Sequence, residues 1–378
     1  MNILIAPDKF RGSLSSTQAA EAIFTGIKEA LPDLKYQIQP ISDGGEGTLD
    51  IITKSQKGQV IEFSTFDPIG RPITSPIGLI NVSGQRICVI ESSYASGLRL
   101  LSSKERNPLK TSSYGTGLLI QSALEYGCDQ IVVGLGGTGT IDAGMGLLQA
   151  LGAKFISKKH GVVHPFDCKD DIIDICLKNL DCRLQNVNII AACDVDIPLL
   201  GENGSVKTFG VQKGALAGDL KNLERRLIVI ERLIRGKTNR YLGKKPYSGA
   251  GGGMAFSLEI CGAKLKAGTD VVFEFIDIET KVQQSHLIIT GEERLDSTTL
   301  LGKSLFQLAK LAKSHNVPCV AIVGTIEPGF DYRLASLDGV LVLATHPYDI
   351  EYILANSFRM LVSRTTELAE LLKICIRK

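Results

Sequence analysis

The sequence has no tryptophan, and aromatic residues make up only 6% of it. Single-stranded nucleic acids are gripped by aromatic faces on which bases stack, so material for such a platform is scarce. A basic excess is missing as well: Lys plus Arg number 42 against 40 Asp plus Glu, a formal net charge of +2. Strong non-specific binding to nucleic acid or to an anionic membrane needs a large excess of Lys and Arg. No run approaches the roughly 18 apolar residues of a membrane-spanning helix. The opening apolar run Ile3–Ala6 is too short for a signal-peptide core and has no basic leader. The nine cysteines are scattered and form no C-x-x-C pair, which speaks against a zinc site or a redox motif. Cys88, Cys193 and Cys319 lie in or beside apolar segments and read as small buried hydrophobes. There is no G-x-S-x-G elbow, so nothing supports a serine hydrolase. His160 and His164 lie close together, but no carboxylate or cysteine pattern joins them as a metal site would require. The expectation is a reduced, cytoplasmic protein with no nucleic-acid and no membrane partner.

What is present is an ordinary globular composition, 44% hydrophobic and 22% charged, with an unusual 39 glycines in 378 residues. That length is past what one core usually serves, which predicts two domains. Along the chain, short apolar strands alternate with amphipathic helices. Strands are expected at Ile3–Ala6, Tyr36–Ile41, Gln130–Val133, Asn188–Ala192, His286–Thr290, Pro318–Val323 and Val340–Ala344. Ser15 with Gln18, and Ser304 with Gln307, have the spacing of capping boxes at helix starts. Residues 59–92 differ: short alternating strands broken by Pro68, Gly70, Pro72 and Pro76 predict an antiparallel section. This rhythm predicts an α/β protein with mostly parallel sheets. A discontinuous parallel domain, 1–58 plus 284–378, is expected to carry an inserted mixed α/β domain with glycine-rich loops, 59–283.

The chemistry is expected just past the carboxyl ends of parallel strands. Four strand ends open into acidic loops: Asp8-Lys9-Phe10-Arg11, the Ser42–Thr48 segment, Asp194-Val195-Asp196 and Gly291–Asp296. A fifth, Gly134–Gly146, is glycine-rich with one acid, Asp142. Glycines let backbone N–H groups approach an anion closely. Carboxylates would repel a bare phosphate, but they suit one whose charge is shared with Mg²⁺. Together these loops suggest phosphoryl transfer from a Mg-nucleotide. Each loop alone also reads as ordinary helix caps and turns, which Asp and Gly commonly form. Gly134–Gly139 matches G-x-G-x-x-G. The acid that would hold a ribose about 20 residues on is absent, so only an NADP-type dehydrogenase survives as an alternative. A non-catalytic metabolite-binding regulator is a further alternative, which leaves the strand-end acids unexplained. Gly302-Lys303-Ser304 resembles the end of a P-loop, but the first glycine of that motif is replaced by Ser297.

Taken together, APDKFRGSLS, DGGEGT, GLGGTGTIDAG, ACDVD-x-PL-x-G, FGVQKGA, GAGGGM and ITGEERLD followed by GK resemble the type I bacterial glycerate kinases, in order and approximate spacing and nearly end to end. The resemblance implies ATP- and Mg²⁺-dependent phosphorylation of D-glycerate, in many members at the 2-hydroxyl to give 2-phosphoglycerate. A 3-phosphoglycerate-forming enzyme or a kinase of another small hydroxy acid is the near alternative. It also implies a Rossmann- or flavodoxin-like parallel-sheet domain with the second α/β domain inserted and the active site in the cleft. Where the family commonly has Asn, Gly, Asn and Gly, this chain has Ile141, Ala143, Ile197 and Glu293.

On this reading Asp194, or failing it Asp43, accepts the hydroxyl proton. Lys9 or Arg11 holds the substrate carboxylate, with Asp8 and Glu46 completing the substrate contacts. Gly136, Gly137, Thr138 and Lys213 cradle the ATP phosphates. Asp196, Glu292 and Asp296 hold Mg²⁺. Small-molecule partners are thus D-glycerate and ATP, and a homodimer is compatible with the sequence.

Overall fold

The computed structural model describes residues 1–167, 171–344 and 349–376. Its strands are β1 (Asn2–Ile5), β2 (Lys35–Ile38), β3 (Gln59–Phe66), β4 (Pro72–Val82), β5 (Gln85–Glu91), β6 (Gln130–Gly134), β7 (Lys154–Ser157), β8 (Gly161–Val162), β9 (Ile172–Cys176), β10 (Asn188–Cys193), β11 (Lys264–Ala267), β12 (Leu287–Leu295), β13 (Cys319–Ile326) and β14 (Gly339–Val342). The chain divides into two compact units, residues 1–43 with 272–378, and residues 44–271. Helix Thr48–Ser55, placed with the first domain on sequence, packs on β4 and β5 and so lies in the second unit.

The first unit holds one five-stranded sheet of order β14-β13-β12-β1-β2, all parallel. Counted within the unit this is 2-1-3-4-5, the flavodoxin-like doubly wound order, whose switch point lies between its first and third strands. Here those are β1 and β12. Ile3, Ile5, Leu287, Ile289 and Ile322 join a core with Ala19, Ala20, Ile23 and Ile27 of helix Ser16–Ala30 and Leu361 and Leu368 of helix Ile350–Ile376. Leu4 and Ile288, fully buried too, alternate to the other face, as period-two strands require. Each such aliphatic side chain contributes about 1.5–3 kcal/mol on leaving water. The Ser15–Gln18 capping box is present: Ser15 Oγ accepts the Gln18 N–H at 3.2 Å, and Gln18 Oε1 accepts the Ser15 N–H at 2.9 Å.

The second unit holds a six-stranded sheet of order β11-β10-β6-β5-β4-β3. Strands β11, β10, β6 and β5 run parallel, and β5, β4 and β3 pair antiparallel, as the proline-broken segment 59–92 predicts. A small antiparallel sheet, β8-β7-β9, accompanies it. Among the described residues, no helix is long and apolar enough to cross a membrane.

Three expectations need correction. Residues Gly291–Leu295 are not a loop: β12 continues to Leu295 because β13 pairs with it that far, Leu295 opposite Ile326. Ser304 does not cap its helix. It is the first residue of helix Ser304–Ser314, and its hydroxyl donates to Asp8 Oδ2 instead. Finally, Cys88 and Cys128 form a disulfide, Cα atoms 6.1 Å apart, where reduced cysteines were expected. Parallel pairing of β5 with β6 brings Cys88 opposite Ile131, beside the turn that carries Cys128.

Candidate active site

Two groups of the expected residues assemble, one in each unit. In the first unit, Asp8, Lys9 and Arg11 follow β1, Asp43 follows β2, and Glu292, Glu293 and Arg294 lie on the end of β12. With Asp296, Thr298 and Lys303 they line a cleft of about 190 Å³ at the switch point. Lys9 is the hub. Its Nζ donates to Asp43 Oδ1 at 3.0 Å and lies 3.8 Å from Asp8 Oδ1. Burial would lower the Lys9 ammonium, but Asp43 and Asp8 outweigh it and hold the group above its usual value. Asp8 is fixed by its neighbours: Oδ1 accepts the Lys9 N–H at 2.6 Å and Oδ2 the Ser304 hydroxyl. Burial pushes the Asp8 carboxyl up, against the pull of Lys9. Arg11 is exposed.

Across the same cleft, Glu292 is buried and its Oε1 accepts the Thr299 hydroxyl at 2.9 Å. Burial pushes its carboxyl up to about 7 despite Lys303, whose Nζ is 3.7 Å from Oε2. Asp296 takes the Thr298 N–H at 2.9 Å and faces Arg294 Nε at 2.9 Å. Its carboxyl is held below the usual range: burial raises it, but the Thr298 hydrogen bonds, Lys303 and Arg294 prevail. Lys303 lies 4.0 Å from Asp296 Oδ1, so Glu292 and Asp296 share one ammonium.

In the second unit the loop after β6 is pinned at both ends. The Leu135 N–H donates to Ala192 O at 3.1 Å and the Gly139 N–H to Ser96 O at 2.8 Å, and Gly136, Gly137 and Thr138 lie between. Segment 44–48 runs against this loop. A Cβ on Gly136 would overlap Gly45 Cα, so only glycine permits that approach. The same Cβ would stand 3.1 Å from Asp194 Oδ2, which places the Asp194 carboxylate at the glycine loop. One on Gly137 would meet Glu46 Cγ at 3.0 Å, so the Glu46 side chain lies over Gly137. Lys213 is buried behind the loop, its Nζ donating to Thr138 Oγ1 at 2.9 Å and to Thr140 O at 3.0 Å. Burial brings its ammonium down to about 8, opposed by Asp194 and Asp142. Asp196 is exposed and accepts the Tyr247 N–H at 3.1 Å.

Asp142, the acid of the glycine-rich loop, belongs to the scaffold. Its carboxylate accepts the Ser113 N–H and hydroxyl, both at 2.9 Å, the Gly144 N–H at 3.0 Å and the Gly146 N–H at 3.1 Å. Ile141 and Ala143 are fully buried in the core of this unit, so the departures from the common family loop are apolar packing. The helix after the loop starts only at Met145 and is six residues long. The pyrophosphate-on-helix geometry of a dinucleotide site, in which G-x-G-x-x-G itself opens the helix, is therefore not formed. One residue the sequence reading passed over is Glu91, at the end of β5 and buried. Its signal is an acid closing a buried apolar run, Ile87–Ile90, much as Asp194 follows β10.

The glycerate kinase family model matches residues 3–373. A glycerate kinase from Bacillus subtilis (strain 168) is 40% identical over 328 residues, 86% of this chain and 85% of that one. One from Haemophilus influenzae is 35% identical over 376 residues, 98% of this chain and 99% of that one. The glycerate 2-kinase of Escherichia coli (strain K12) is 36% identical over 329 residues, 86% of each chain. A crystal structure from Salmonella typhimurium LT2, provisionally described as glycerate kinase 2, superposes with a TM-score of 0.83 at 33% identity and full coverage of both chains. With these likenesses spanning both units, the chain belongs to the glycerate kinase family.

Proposed function

We propose that this protein transfers the γ-phosphoryl group of ATP to the 2-hydroxyl of D-glycerate, giving 2-phosphoglycerate and ADP. The observation that carries the reading is Asp194: its carboxylate lies against the glycine loop, so a proton acceptor and a run of backbone amides share one sheet edge. In the step, the glycerate O2 bonds to the γ-phosphorus, the bond from that phosphorus to the β–γ bridging oxygen breaks, and Asp194 accepts the hydroxyl proton. Gly136, Gly137 and Thr138 contribute amides to the phosphates. Glu46 accepts a hydrogen bond from a glycerate hydroxyl, and Lys9 or Arg11 takes the carboxylate, Arg11 with the fork suited to it. The choice of the 2-hydroxyl is supported by the likeness to the E. coli glycerate 2-kinase.

Mg²⁺ takes hard oxygen ligands, which the carboxylates of Asp196, Glu292 and Asp296 supply. Among the described residues no cage of three or more His, Cys, Asp or Glu side chains gathers, so the ion would bind one or two of these together with phosphate oxygens. Its contribution when bound is to neutralise charge on the β- and γ-phosphates.

The test is steady-state turnover with ATP, Mg²⁺ and D-glycerate, with the product identified by phosphorus NMR. Asp194→Asn is expected to lower kcat at least about 100-fold, the usual worth of a general base, with an unchanged melting temperature. Near wild-type kcat in that variant would remove Asp194 from the role, and a 3-phosphorylated product would overturn the regiochemistry.

A further inference from the structure

Glu91 is 1% exposed. Its Oε2 accepts the Gly47 N–H at 2.9 Å and the Leu49 N–H at 3.3 Å, while Oε1 accepts the Ser93 hydroxyl at 2.6 Å. Gly47 is the N-cap position of helix Thr48–Ser55 and Leu49 lies in its first turn. The carboxylate therefore satisfies two N–H groups near a helix start that offers no side-chain cap of its own, at the positive end of the helix dipole. The residue just before these amides is Glu46, whose side chain lies over Gly137. On its other side the segment lies close against backbone: a Cβ on Gly134 would sit 2.8 Å from Gly44 O. Residues 44–49 are thus held between the glycine loop and one buried carboxylate from a different strand.

We infer that Glu91 is a positioning residue for Glu46: by holding the Gly47 and Leu49 amides it sets where the Glu46 carboxylate meets the substrate. This rests on the reading of Glu46 as a glycerate contact. Glu91 acts through these amides rather than on the substrate, so its length should matter more than its charge. Two variants of the full chain separate these properties. Glu91→Asp keeps the charge but withdraws the carboxylate by one methylene. Glu91→Gln keeps the reach, with its carbonyl oxygen toward the two amides and its NH2 toward Ser93 Oγ, which can turn to accept.

In steady-state kinetics with D-glycerate and Mg-ATP, E91D is expected to raise the glycerate KM about tenfold, the scale of one lost hydrogen bond to a charged group. Its KM for ATP should stay within about twofold, and E91Q should stay within about threefold of the parent throughout. If E91D does not fold, Ser93→Ala, which frees Oε1 of the same carboxylate, should raise the glycerate KM about threefold. Glu46→Ala should raise the glycerate KM too, and adding E91D to it should cost nothing more, because the two residues act through one contact. An E46A variant with unchanged glycerate KM would end the reading of Glu46 and this role with it. If E46A is costly but E91D is silent, or adds in full to E46A, or E91Q is as damaging as E91D, the Glu91 role alone is wrong.

Discussion

Glu292 shows how one buried carboxylate shapes both stability and chemistry. Lys303 and Thr299 favour its charged form, yet burial wins and the group titrates near 7 in the folded protein, above the usual 4.5. Below pH 4.5 it is protonated in both the folded and unfolded states, and its contribution to stability is full. Between 4.5 and 7 the folded chain holds a proton that the unfolded chain has released, so stability falls as pH rises. Above 7 the penalty is complete. Glu292→Gln removes this titration. Its melting temperature, measured from pH 4.5 to 8, is expected to decline less than that of the parent, with the gap growing to pH 7 and constant beyond. Parallel curves for the two proteins would show that Glu292 is already ionised throughout. Lys9 presents the opposite balance: two close carboxylates, Asp43 and Asp8, overcome burial and keep it charged, as its proposed part in holding a substrate carboxylate requires.

At the scale of elements, the glycines act by letting segments touch. Gly252, at φ +68°, lies in the kinked start of helix Ala250–Ile260, and a Cβ there would overlap Thr140 O. Thr140 O is also an acceptor for Lys213, and the Gly252 carbonyl accepts the Ala143 N–H at 3.1 Å. Gly252→Ala must push helix and loop apart, in a left-handed conformation that itself costs an L-residue about 1–2 kcal/mol. A loss of at least about 3 kcal/mol in urea unfolding, with kcat reduced through the displaced loop, is the expected result. A loss under about 1 kcal/mol would mean that the loop yields freely. The GAGGGM motif, legible as glycine-rich, thus serves packing beneath the loop. Much of the element order was readable because it depends on local periodicity: the seven expected strands, the antiparallel section and the Ser15 cap follow from neighbouring residues, whereas β7, β8, β9 and β11 were not expected. The strand character of Gly291–Leu295, the donation of Ser304 to Asp8 and the Cys88–Cys128 bond were not readable. Each depends on a partner 30 or more residues away, which spacing along the chain does not show. Asp142 and Glu91 were not readable either, with partners Ser113 and Gly47 that lie 29 and 44 residues away. Glu91 closes a strand and Asp142 sits in the glycine-rich loop, and only their hydrogen bonds show that they tie the scaffold together.

At the scale of the whole chain, a near-neutral balance of 42 basic and 40 acidic residues conceals two separate concentrations of charge. One surrounds Lys9 and Lys303 at the switch point of an all-parallel sheet. The other gathers Glu46, Asp194 and Lys213 at a glycine loop on the parallel half of a mixed sheet. That loop decides between a nucleoside triphosphate and a dinucleotide. A dinucleotide site needs its glycines to open a helix directly, whereas residues 140–144 separate Gly139 from the helix at Met145. Its amides instead lie between two backbone pins, which suits the cradle for phosphate oxygens proposed above. A ligand that binds only the folded chain stabilises it by about 2.7 kcal/mol at 100 times its Kd. Mg-ATP is therefore expected to raise the melting temperature of the intact protein by several degrees, and NADPH at equal concentration to leave it unchanged. Gly136→Ala, whose new Cβ would overlap Gly45, should abolish the Mg-ATP shift at any temperature where the variant is folded. Protection by NADPH instead, or a Mg-ATP shift undiminished in that variant, would move the nucleotide away from the glycine loop.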